Sequence, residues 1–347
     1  MCQFYSCIVT KNKIFDLVDS DSHEDIIAVV EKEGKFRFKH SGVPNYVRVE
    51  VCPMSPKNDS RHMFEMFKNI FKNPYHDLWC VKVDQDIVPD WWDIEIDRLS
   101  SLNTKDKYIQ RIKKAFLKMY KKRIFIGKNC TGHVKLKNVR APRVFYDTVI
   151  LDGENVMFSE FYDRAQANIV YDASTQKPEW SVVQFFPKLV LNDYSKAHVV
   201  LRNNGGINVE LRDVSTLEGI NKSNGKLYVG AFGSSVARLC GNFYVGAIDR
   251  AYVHVSSSES NIMSSPLIDL AGDSICVIDK NVKGKIFVRL DGNATLYLPK
   301  GLTVEVVSGS TKAKVVFDGK LITFCGTKQL RTGRFYKIGP KSVVAWK

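Results

Sequence analysis

The chain has 347 residues, of which 44% are hydrophobic and 25% charged, with a net charge of +14. That balance excludes a disordered chain, and the length predicts two or three structural units rather than one core. No apolar run reaches the ~18 to 20 residues that span a bilayer, and the first ten residues lack the basic-then-apolar order of a secretory signal.

The charge is concentrated. Residues 101–143 carry 14 Lys/Arg against Asp106 alone, whereas residues 1–100 hold 13 basic and 17 acidic side chains. Eight cysteines are scattered, none in a Cys-x-x-Cys pair, and several sit inside apolar runs. They read as buried thiols rather than a disulfide framework, and no His or Cys pair has zinc-ligand spacing. No metal and no cofactor is expected.

In chain order, Phe4 to Thr10 and Ile14 to Val18 read as strands around a Lys11-Asn12-Lys13 turn. Ser22 to Asp25 has capping-box spacing before a short helix with Ile26, Ile27, Val29 and Val30 on its apolar side, stopped by Gly34. Tyr46 to Cys52 alternates, with Val47, Val49 and Val51 on one face and Tyr46, Arg48, Glu50 and Cys52 on the other, the pattern of a half-buried strand. Met63, Phe64, Phe67, Ile70 and Phe71 recur at helical spacing, and Leu78 to Val83 is another strand, followed by a polar turn into Trp91 and Trp92. Thr104 stands where it can cap a helix from Lys105 to Lys122, whose stripe of Tyr108, Ile109, Ile112, Ala115, Phe116 and Met119 is surrounded by lysines.

Beyond Arg123 the helical period disappears and an eight-residue beat replaces it. Residues 233–240, 241–248 and 249–256 each open with Gly or Asp and then alternate, and similar units begin at Asp163, Asp193, Gly205 and Gly292. Short strands between tight corners predict a β-solenoid, with 16 or 24 residues per turn. Polar insertions fall at Ala173–Glu179, Asn221–Gly225 and Ser256–Asn261. After Lys283 the runs lengthen, and Asp291-Gly292 and Asp318-Gly319 are hairpin signals. These segments are either the last turns of the stack or an antiparallel cap over its exposed end.

The expected fold is therefore an α+β N-terminal domain followed by an all-β solenoid (β-helix-like) with a C-terminal β cap. Residues 1–103 form the head and 104–122 a basic amphipathic helix capping the solenoid. Residues 123–282 carry the degenerate repeats, and 283–347 the hairpin cap.

Met1-Cys2 with Phe4, Ser6 and Ile8-Val9-Thr10, the run Asp21 to Ile27, Val47 to Glu50, and Val83 to Asp86 with Pro89-Asp90-Trp91 resemble uncharacterised bacteriophage and prophage proteins. Those proteins follow such a head with tandem eight-residue repeats. The resemblance covers the chain to about residue 260 and implies a phage origin, hence the cytoplasm of an infected bacterium or a virion. It carries no catalytic residues over.

Of the chemistry-bearing candidates, the basic belt is the strongest. Lys107, Arg111, Lys113, Lys114, Lys118, Lys121, Lys122 and Arg123 would draw a nucleic acid or other polyanion; a solvated structural helix and a membrane-surface helix are the alternatives. Cys2 would lie beside a free α-amine if Met1 were removed, the arrangement of N-terminal nucleophiles, and His23 with Glu24 and Asp25 offers an acid/base cluster. A buried strand cysteine and a helix start explain the same residues. Trp91 and Trp92 would anchor an interface or plug a seam. No phosphate loop, nucleophile elbow or paired-carboxylate motif stands out. The chain thus reads as a non-enzymatic structural or interaction protein with a protein partner or a second copy of itself. Polyanion binding through residues 105–143 is the alternative, and a head-domain enzyme using Cys2 and His23 the next.

Overall fold

The computed structural model describes residues 4–54, 69–95, 99–127, 132–139, 141–172, 174, 187–203, 206–223, 225–256, 266–282, 284–299, 302–309, 312–317, 320–323, 334–338 and 343–345. The chain divides into two compact units, residues 1–125 with 139–144, and residues 126–138 with 145–347. Cys2, the Met63 to Phe67 part of the apolar stripe, and Gly205 lie outside the described residues.

The first unit is built on a five-stranded antiparallel sheet. Its strands are β1 (Tyr5–Thr10), β2 (Ile14–Phe15), β3 (Tyr46–Pro53), β4 (Trp79–Val83) and β5 (Ser100–Ser101), in the order β2-β1-β3-β4-β5. Helix α1 (His23–Lys32) is capped by Ser22, whose hydroxyl accepts the Asp25 N–H at 3.2 Å. Its Ile26, Ile27 and Val30 pack with Ile8, Phe38 and Tyr46 on one face of the sheet.

Helix α2 (Lys107–Arg123) covers the other face. Phe116 meets Tyr5 at 6.0 Å and Trp79 at 4.8 Å between ring centroids. Its N-cap is Asp106 rather than Thr104: the Asp106 carboxylate accepts the N–H of Tyr108 and Ile109 at 2.8 and 2.9 Å. An ionised acceptor at the positive end of the helix dipole outcompetes a neutral hydroxyl. With helices on both sides, β3 is buried on both faces. Glu50, which the alternation placed on a polar face, is only 4% exposed.

A β-solenoid of about eight turns runs over residues 124–316, most of which belong to the second unit. Its strands alternate between two parallel sheets. The shortest turn is 16 residues, as in the pairing of Leu227 with Phe243, so each eight-residue beat is one side of a rung. Longer turns of 20, 23 and 30 residues arise at the corner where the chain passes from the second sheet back to the first, between Asp172 and Lys188, between Asn221 and Leu227, and between Ser256 and Leu267; the insertions expected at 173–179 and 257–261 lie almost wholly outside the described residues.

The opposite corner is constant, and its residues stack from rung to rung. Asp147, Asp163, Asp193, Asp213, Gly233, Asp249, Gly272 and Gly292 all have φ between 54° and 68°. Gly and Asp recur because this backbone conformation is cheap for glycine and tolerated by aspartate. The carboxylates add a second role. Those of Asp193, Asp213 and Asp249 accept backbone N–H groups of Asp163, Asp193 and Gly233 at 2.9, 3.3 and 3.3 Å. Beside them a column of small residues, including Ala165, Ser195, Ser215, Ser235, Ala251 and Ser274, is fully buried.

Parallel stacking runs past residue 282, the expected limit of the repeats. Gly284–Leu290 pairs in parallel with Leu302–Gly309, and Thr295–Leu298 with Lys314–Phe317. Asp291-Gly292 is therefore a solenoid corner and not a hairpin, because the strands on its two sides belong to different sheets. Antiparallel pairing begins only afterwards, with Lys320–Thr323 on Lys314–Phe317 and with Arg334–Ile338 on Leu302–Gly309.

Candidate functional site

In the first unit, β3, β4 and α1 bring His23, Glu50 and Asp84 together, with one ligating atom of each within 4.8 Å of the others. His23 opens α1 and is 5% exposed. Its Nε2 lies 3.1 Å from the Val49 carbonyl and its Nδ1 3.3 Å from Asp84 Oδ2. A carbonyl only accepts, so Nε2 carries the hydrogen. Burial holds the imidazole below its ordinary pKa.

Among the described residues Glu50 Oε1 is buried without a hydrogen-bond partner, as is the Ser6 hydroxyl directly across the strand pair. Burial, with Asp84 second, raises the Glu50 carboxyl to about 7. Asp84 itself is 42% exposed and opens the cluster to solvent. The His23–Glu24–Asp25 grouping does not form. Glu24 pairs with Arg48 at 3.0 Å, and Asp25 accepts from Ser20. Chain separation hid the real cluster, since His23, Glu50 and Asp84 share no local spacing.

The basic belt is divided by burial. Lys114, Lys118, Lys121 and Lys122 are exposed and fall on one side of α2, without an ion-pair partner among the described residues. Lys107 lies over the Tyr108 ring at 4.7 Å, Arg111 donates to the Lys11 carbonyl at 3.0 Å, and Lys113 donates to Asn103. Arg123 is fully buried and donates to the carbonyls of Phe4, Leu17 and Ser20, so it cannot meet a polyanion. Arg143, the last residue of the belt, is likewise buried and bonded to Val18 O and Asp19.

Trp92 is buried with its ring 5.4 Å from Tyr108, which makes it core and not interface; Trp91 meets the same ring at 5.3 Å, tilted by 49°, and is half-buried. Among the described residues the five cysteines are free. Burial raises the Cys7, Cys52, Cys80 and Cys276 thiols, which is the wrong direction for a nucleophile.

On the solenoid, an outward column of one sheet places Tyr228, Tyr244, Leu267 and Phe287 in direct register, one per rung. The two tyrosine rings are 6.2 Å apart. The next outward position on the tyrosine rungs is glycine, Gly230 and Gly246; a Cβ at Gly246 would meet open space. With Lys226, Asn242 and Arg289 the column lines a shallow cleft. Tyr228, Tyr244 and Leu267 are the first or second residues of their strands, close to the corner where the turns lengthen, and Phe287 is the fourth residue of its strand. The sequence hinted at it only through repeated Tyr-Val-Gly-Ala runs.

Comparison of the chain with protein-family models, with curated proteins and with solved structures finds no match. No helix among the described residues is long and apolar enough to cross a membrane.

Proposed function

We propose that the protein is a non-enzymatic interaction protein, phage-encoded as the resemblance implies, whose solenoid presents the Tyr228–Tyr244–Phe287 column to a protein partner. The observation that supports this reading is the coincidence of two features at one edge. The turns change length at a single corner, and the aromatic column borders that corner. In repeat proteins, insertions on one face commonly build the binding face. Tyrosine supplies large contact area at small entropic cost, and Gly246 leaves room beside the column for an incoming side chain.

A photo-crosslinking residue placed at Tyr244 tests the reading in the producing cells. One discrete adduct, to another protein or to a second copy, is expected there. None is expected from the same residue at Glu218 on the opposite sheet. No adduct at Tyr244, or equal capture at both positions, overturns the reading.

A second reading rests on the four exposed lysines of α2. A polyanion bound there would be released by salt, with an affinity falling steeply between ~50 and ~200 mM. Charge reversal at Lys114, Lys118 and Lys121 should abolish binding to duplex DNA at low salt. Unchanged binding, or none in the wild type, removes this reading.

A further inference from the structure

Three ligand-type side chains of the head converge on one point, each offering an atom within 4.8 Å of the others. His23 Nε2 lies 3.1 Å from the Val49 carbonyl, and Nδ1 faces Asp84 Oδ2 across 3.3 Å. Beside them Glu50, 4% exposed, has no hydrogen-bond donor to Oε1 among the described residues. A buried carboxylate oxygen without a partner is costly. One positive ion among the three side chains would remove that penalty. We infer that His23 Nδ1, Glu50 and Asp84 form a binding site for a single first-row divalent cation such as Mn²⁺ or Zn²⁺.

The geometry suits such an ion. Donors each ~2.1 Å from one metal lie roughly 3 to 3.5 Å apart, and the Nδ1–Oδ2 separation is already in that range. The Val49 carbonyl is the outer partner that fixes the imidazole tautomer and aims Nδ1 inward, a usual arrangement for ligating histidines. One imidazole with two carboxylates favours borderline cations over Ca²⁺. Three protein ligands leave coordination positions for water, and the exposed Asp84 gives the ion a way in. The Ser6 hydroxyl, buried and without a partner among the described residues, stands cross-strand from Glu50. This site is independent of the solenoid's proposed role.

The test uses the full-length protein stripped with EDTA and titrated with Mn²⁺, with free ion read by its six-line electron paramagnetic resonance signal. One equivalent should bind, and Zn²⁺ should displace it. Glu50→Gln and Asp84→Asn should each weaken binding at least tenfold. His198→Asn, which removes a surface His–carboxylate pair elsewhere, should leave it unchanged. Metal-free melting of Glu50→Gln should be no lower than wild type, because the change removes a buried charge; that separates lost binding from lost folding. Should this variant misfold, the exposed Asp84→Asn carries the same decision. No saturable binding to the wild type, or full affinity in both variants, overturns the inference.

Discussion

The two units solve the problem of buried polar groups in opposite ways. The solenoid repeats one local answer: a corner aspartate or glycine with positive φ, a buried Ala or Ser beside it, and backbone hydrogen bonds passed from rung to rung. The head uses single, non-repeating answers. Arg123 alone serves three carbonyls, and Glu50 is buried with an oxygen unpaired among the described residues. A repeat spreads its stability over many similar contacts, whereas the head concentrates its stability, and its chemistry, in a few side chains.

The sharpest test of that contrast is Arg123→Met. It leaves three carbonyls without their donor and should cost the head ~3 to 5 kcal/mol, read as lost amide-exchange protection in α2 and β1. Lys118→Gln on the same helix should stay within ~0.5 kcal/mol. Similar losses from both would mean that the head does not rest on its buried arginine.

Gly241→Ala is next. Gly241 has φ +92°, and a Cβ there would stand 2.0 Å from the Asn221 carbonyl oxygen of the neighbouring rung. The solenoid's thermal transition should fall by an amount equivalent to ~3 kcal/mol. Gly246→Ala, in a strand facing open space, should instead raise it slightly, by ~0.5 kcal/mol. Equal melting temperatures would show that this corner is not constrained.

A smaller effect distinguishes the two roles of the corner aspartates. Asp213→Ala forces alanine to φ 57° and removes the acceptor for the Asp193 N–H, so ~1 to 2 kcal/mol is expected. Asp213→Gly should lose only the acceptor and cost less. The order of the two chemical-denaturation midpoints checks this.

The smallest effect is in pH. Burial raises the Glu160 carboxyl above its ordinary value, even though Tyr162 donates to it at 2.8 Å. Between the ordinary and the raised value the folded chain holds more proton than the unfolded one. Stability therefore falls as pH rises through that window. Glu160→Gln should flatten that part of the melting-temperature profile; an unchanged slope would assign it to other groups.

Much of the solenoid was legible because its determinants are local. Glycine or aspartate at a left-handed corner, followed by alternating apolar residues, can be read from any single unit, and the expectation that Asp163, Asp193 and Asp249 mark corners agrees with their φ values of 59°, 54° and 63°. The rung length was not legible, because nothing in one eight-residue unit says how many sides close a turn. Asp291-Gly292 misled for a related reason. The dipeptide makes a tight reversal or a corner equally well, and only the register of the strands on either side decides between them.

The head was legible as strands and helices but not as a site. Alternation in Tyr46 to Cys52 assigned Glu50 to a polar face, and charge assigned Arg123 to a polyanion surface. By itself the sequence determined the elements, the repeat and its corners, because these follow from backbone preferences within a few residues. Only the tertiary structure decided which charges are buried. Once α1 and α2 cover both faces of the sheet, a side chain's exposure depends on what packs over it. That brings His23, Glu50 and Asp84, far apart in the chain, to one point.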